Sequence, residues 1–84
     1  MYRVSISKTV SKQIESFPSG AGLKIVDRIR SLGENPRPHG CEKLSGEENL
    51  WRVRSGDYRI VYAVFDKTKE VKITVVKHRR EVYR

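Results

Sequence analysis

Residues 50–78 read LWRVRSGDYRIVYAVFDKTKEVKITVVKH, and the alternation inside this stretch decides the fold. Leu50 to Arg54 sets Trp51 and Val53 on one side and Arg52 and Arg54 on the other, the period of two that marks a strand. Ser55-Gly56-Asp57 is a tight connection. Tyr58 to Phe65 is apolar at nearly every position, as expected of a central strand buried on both sides. Asp66-Lys67-Thr68-Lys69 turns the chain, and Val71 to Lys77 alternates again with Val71, Ile73 and Val75 inward. Three consecutive strands joined by short turns form an antiparallel meander.

Working back toward the start, Tyr2, Val4 and Ile6 alternate with Arg3, Ser5 and Ser7, which predicts an opening strand. Val10, Ile14 and Phe17 then fall on one stripe of a helix, with Ser7 or Thr9 as its cap. Pro18-Ser19-Gly20 interrupts it. Leu23, Ile25, Val26, Ile29 and Leu32 recur at helical spacing. Gly33 is expected to cap the C-terminus of that second helix, and Asn35-Pro36-Arg37-Pro38 stops it. Residues 34–49 read as irregular. The expected architecture is one α+β domain over 1–84: an N-terminal strand, a two-helix hairpin and a three-stranded meander, with the helices backing one sheet.

The chain has 84 residues and a formal net charge of +8. Residues 1–49 hold eight Lys/Arg against six Asp/Glu, and residues 50–84 hold ten against four, so the excess rises from +2 to +6. A basic surface of this kind captures polyanions, and the second half is the part expected to meet them. Cys41 is the single cysteine, which excludes an intrachain disulfide and reads as a bystander. No signal-peptide core and no membrane-length apolar run is visible, so a reducing cytoplasm is the expected compartment and a membrane partner is not.

Several chemistries lack the residues they need. His39 and His78 are the only histidines, and no HExxH or CxxC pattern accompanies them, so neither a metal nor another cofactor is expected. Gly20-Ala21-Gly22 lacks the lysine and the preceding strand of a phosphate-binding loop. No serine stands in a strand-to-helix elbow. What remains is cationic. Arg52 and Arg54 share one side of a strand, Arg59 opens the next strand close to Arg54, and Lys77, His78, Arg79 and Arg80 follow at the end of the last one. Short turns bring these onto one patch. The guanidinium fork binds two phosphate oxygens and keeps its charge, which suits such a patch to RNA or DNA. Arg59 adjoins an apolar run, where a charge needs a reason. Tyr58 and Tyr62 read as core; Trp51 fits the core better than a base-stacking platform.

These segments resemble a known family. Lys43-Leu44-Ser45-Gly46, Leu50-Trp51-Arg52-Val53-Arg54, Gly56-Asp57-Tyr58-Arg59-Ile60-Val61-Tyr62 and Lys77-His78-Arg79-Arg80-Glu81-Val82-Tyr83-Arg84 are similar to the RelE toxins of the RelE/ParE superfamily, and the likeness covers essentially the whole chain. The resemblance implies a type II toxin that cuts mRNA in the ribosomal A site, without a metal, by attack of a 2′-OH on the adjacent phosphate. It implies that Arg59 grips the reacting phosphate, Arg79 assists the leaving group and Tyr83 orients or deprotonates the nucleophile. Arg52, Arg54, Lys43, Lys77 and Arg80 are then expected to contact RNA, with His78 a candidate for proton transfer. The expected partners are a RelB-like antitoxin with an acidic toxin-binding segment, the 70S ribosome and its mRNA, and operator DNA only through the antitoxin complex. Two rival readings share the fold or the charge: a ParE-like inhibitor of DNA gyrase, and a non-catalytic nucleic-acid-binding module.

Overall fold

The computed structural model describes residues 1–46 and 48–82. Its elements run β1 (Arg3–Ile6), α1 (Lys8–Glu15), α2 (Ser19–Glu34), β2 (Glu42–Lys43), β3 (Leu50–Ser55), β4 (Tyr58–Phe65), β5 (Glu70–His78) and α3 (Arg79–Val82). The expected α+β class holds: two helices pack on one face of a sheet. The sheet is larger than the expected meander. Its order is β1-β5-β4-β3-β2, with β1 parallel to β5 and the other pairs antiparallel. Strand β2 lies inside the segment read as irregular; two exposed, charged residues give no alternation to detect.

Alternation explains the core. Val53, Ile60 and Val76 stand in one cross-strand row, and Val4 lies opposite Val71. Side chains in such rows share a face, here the face under the helices, where Ile25, Leu32, Ile60 and Val71 are fully buried. The opposite face of β4 has no such layer: Val61 and Phe65 are only half-buried, against the expectation of burial on both sides, while Arg59 and Ala63 are buried.

Helix α1 begins where Ser7 Oγ accepts the Val10 N–H at 3.2 Å, which settles the cap in favour of Ser7. Gly33 does not end α2. It sits inside the helix, fully packed, with its carbonyl accepting the Tyr2 N–H at 2.8 Å. A β-carbon there would lie 3.1 Å from the Tyr2 carbonyl oxygen and 3.2 Å from Val4 Cγ2. The glycine is needed for close approach of helix to strand rather than for a left-handed turn, and Asn35, in extended conformation, follows the helix end.

A bulge in β5 has the largest consequence for function. Val61 pairs with Val75 but Tyr62 pairs with Ile73, so Thr74 is the extra residue, and its hydroxyl donates to the Val61 carbonyl at 3.0 Å. Inserting one residue reverses which face every later side chain takes. Val76, 1 % exposed, therefore replaces Val75 as the inward residue. Lys77 turns to the outer face opposite Arg59, and His78 turns to the helix face opposite Tyr58.

Candidate functional site

Strands β3 and β4 are joined by Gly56 and Asp57, and that hairpin tip meets the end of β5 at one end of the sheet. Gly56 has φ +59°, a conformation that favours glycine. The Arg79 N–H donates to the Asp57 carbonyl at 2.7 Å, which fixes the start of α3 against the tip. Around this junction lies a cleft of about 390 Å³ lined by Arg54, Arg59, Arg79 and Arg80 together with Asp57, Gly56 and Tyr58.

The four arginines arrive by different routes. Arg54 and Arg59 are direct cross-strand partners, and Lys77 continues the row beyond Arg59. Arg79 and Arg80 come from the first turn of α3. Arg59 is 8 % exposed, the buried charged side chain of the described core, and stands between Arg54 and Lys77 in the cross-strand row. A charge in such a place acts through less water and pulls harder on an anion than one in bulk solvent. Asp57 is a carboxylate lining the cleft; its Oδ1 stands 3.9 Å from Arg79 Nη1, a loose pairing between two exposed groups.

Three of the remaining expected site residues, Arg52, Lys43 and His78, do not line this cleft. Arg52 shares the outer face, but its Nη2 pairs with Glu42 Oε2 at 3.1 Å and it does not line the cleft. Lys43 lies on β2 and borders a separate hollow with Leu44, Ser45 and Gly46. His78 stands on the helix face, edge-on to Tyr58 at 5.1 Å between ring centres, and its Nδ1 accepts the Arg80 N–H at 3.2 Å. Tyr83 lies outside the described residues. Trp51 packs at the core's margin under the Arg37 guanidinium, 4.9 Å from the ring centre, far along the sheet from the cleft.

Two tyrosines are ruled out as bases by their surroundings. Tyr62 is fully buried and donates to the Pro36 carbonyl at 2.6 Å; burial, with Cys41 beside it, pushes its phenol well above the usual range. Tyr2 donates to Asp66 Oδ1 at 2.6 Å, which raises its phenol too. That same carboxylate takes Arg37 in a two-pronged pair, 3.1 Å to Oδ1 and 2.8 Å to Oδ2. The Arg37 guanidinium and then the Tyr2 hydroxyl hold the Asp66 carboxyl down at about 2. Arg37 was legible in the sequence only as part of a helix-stopping segment; a carboxylate 29 residues away gives no local signal.

The chain matches the profile of the ParE toxin of type II toxin–antitoxin systems over residues 4–83. It is 31 % identical to the toxin RelE of Mycobacterium tuberculosis, across 99 % of this chain and 87 % of that one. Among solved structures it is similar to the archaeal RelE–RelB complex of Pyrococcus horikoshii, at 36 % identity and a TM-score of 0.83 over 93 % of this chain and 94 % of that one. The isolated RelE toxin of E. coli is similar at 25 % identity and a TM-score of 0.79, covering 99 % and 92 %. With a fold and a family profile that both span nearly its whole length, the chain belongs to the RelE/ParE superfamily as a toxin of a type II toxin–antitoxin system.

Proposed function

We propose that this toxin is an endoribonuclease that cuts mRNA in the ribosomal A site, in the cytoplasm, by 2′-OH attack on the adjacent phosphate. The observation that carries the reading is the convergence of Arg54, Arg59, Arg79 and Arg80 on one cleft. In the reaction a new bond forms from the 2′ oxygen to phosphorus and the bond to the 5′ oxygen breaks. A base takes the 2′ proton, the departing oxygen gains one, and the products are a 2′,3′-cyclic phosphate and a 5′-OH. Negative charge gathers on the equatorial oxygens in the transition state. Fixed arginines stabilise that charge more than they stabilise the ground state, which lowers the barrier.

Arg59, on the central strand, is assigned to the reacting phosphate. Arg79 faces the leaving group, Arg54 and Arg80 hold flanking phosphates, and Lys77 extends the track. Tyr83 receives its role of orienting the nucleophile from the resemblance alone. A free phenol titrates near 10 and a guanidinium above 12, so the cleft is poor in bases matched to neutral pH. This favours a toxin that is slow on free RNA and depends on the ribosome to hold the codon ready for in-line attack. The proposed steps run on the cleft's guanidinium groups and call on no metal.

An acidic segment of a RelB-like antitoxin fits the same cationic cleft and would silence it, with operator DNA reached through the antitoxin. The RelE of P. horikoshii was solved with RelB, which supports a partner of that kind. The family profile is named for ParE, and this favours a second reading in which the toxin blocks DNA gyrase and cuts nothing. Primer extension on a defined mRNA, with purified protein and with or without ribosomes, separates them. Cuts confined to A-site codons in the ribosome arm are expected. Intact mRNA in both arms, with inhibited supercoiling by gyrase, would establish the second reading instead.

A further inference from the structure

We propose that His78 is a positioning residue, acting on RNA through the short helix that carries Arg79 and Arg80 and not by moving a proton. The bulge at Thr74 turns His78 to the helix face, so its ring lies against Tyr58 and does not line the cleft. Its Nδ1 accepts the Arg80 N–H at 3.2 Å. In this contact Nδ1 turns its lone pair toward an amide in the first turn of α3. The preceding amide, that of Arg79, is already taken by the Asp57 carbonyl at 2.7 Å. Two consecutive N–H groups at the start of α3 are thus satisfied by fixed acceptors, one from the hairpin tip and one from His78.

Helix starts leave N–H groups without partners inside the helix, and a side-chain acceptor there sets the first turn. In α3 that first turn is the part that bears both arginines. Phe17 packs on Tyr58 at 4.5 Å between ring centres, and Tyr58 meets the His78 ring, so the imidazole is braced from behind. The chain of contact runs from the core through Phe17, Tyr58 and His78 to the Arg80 amide.

The activity part of this inference rests on the proposed nuclease reading; the structural part does not. Two variants separate the possibilities. H78N keeps an acceptor, because Asn Oδ1 stands as many bonds from Cα as His Nδ1, and loses the ring. H78F keeps the ring and loses the acceptor. Three readouts are taken: hydrogen exchange at the Arg80 amide, affinity for an RNA trinucleotide whose 2′ oxygens are methylated so that it cannot react, and the pH profile of cleavage on ribosomes. H78F is expected to speed Arg80 exchange and to weaken trinucleotide binding about fivefold, the size of a lost helix cap. H78N is expected to stay within about twofold of wild type in binding, since asparagine is itself a favoured cap, and to keep the shape of the pH profile.

Loss of cleavage in both variants, with trinucleotide affinity intact and one limb of the pH profile gone, would make His78 a proton carrier and overturn the proposal. Normal behaviour of both would make it a bystander, and loss in H78N alone would reduce it to ring packing. A wild type that binds the trinucleotide with the expected H78F contrast yet cuts nothing would sink the nuclease reading and leave the positioning role standing. A wild type that does not bind it would overturn the link from α3 to the cleft.

Discussion

Arg37 and Arg59 serve opposite ends of the same sheet. Arg37 reaches from the loop after α2 and finds Asp66 in the turn after β4, two nitrogens on two oxygens, with the Tyr2 hydroxyl on the same carboxylate and the Trp51 ring beneath. This closes the sheet by tying β1, the loop and the β4–β5 turn together. At the other end Arg59 sits with Arg54, Arg79 and Arg80 around a cleft whose carboxylate, among the described residues, is Asp57, 3.9 Å from Arg79. One end matches its cation with an anion from the chain. Among the described residues the other lines its cleft with four guanidinium groups and one carboxylate, an arrangement that suits an incoming phosphate. Arginine alone is therefore no mark of a site; the ratio of guanidinium to carboxylate around it is.

That contrast can be broken from either end. The largest effect is expected from R79E, which sets a second carboxylate beside Asp57. Cleavage on ribosomes should fall by at least about 10²-fold, while the melting temperature stays near wild type because the side chain is exposed. A smaller effect follows from R54A. Binding of single-stranded RNA should weaken, and the slope of log affinity against log salt should shrink by about 0.7 for one phosphate contact removed. An unchanged slope would remove Arg54 from the track.

At the closed end, R37A should leave cleavage within about twofold and lower the melting temperature, and R37K should recover only part of that loss because an ammonium cannot make the two-pronged pair. The smallest effect is a pH dependence. A carboxyl whose titration is lowered by folding stabilises the fold above its unfolded value, about 3.9, and loses that contribution as the pH falls toward the folded one. For Asp66 the folded value is about 2, so D66N should be less stable than wild type at neutral pH and the gap should close between about pH 4 and pH 2. A constant gap over acid titration would mean that the pair does not contribute through charge.

Much of this arrangement was legible in the sequence. Strands β3 and β5 follow from alternation, β4 from its apolar run, the helices from their apolar stripes, and the proximity of Arg54 and Arg59 from the tight connection at Ser55-Gly56-Asp57. What escaped has physical causes. The bulge at Thr74 leaves no trace in a run of β-branched residues, so Val75 was read as inward where Val76 takes that place. The parallel pairing of β1 with β5 joins strands at opposite ends of the chain, and nothing local specifies it. Gly33 was taken for a cap because glycine serves both there and where backbones touch. Lys43 entered through the resemblance alone, and β2 carries it to the edge of the sheet, apart from the four-arginine cleft.

The most direct test sets the two arginines side by side. R59A, R59K and R37A are purified and assayed by primer extension on the same ribosome-bound mRNA, each checked for folding by circular dichroism. The account predicts that R59A loses about 10²–10³ in rate, that R59K recovers only a minor part because a single ammonium cannot span two phosphate oxygens, and that R37A cuts as wild type does. Full cleavage by folded R59A, or an equal loss in R37A, would contradict it.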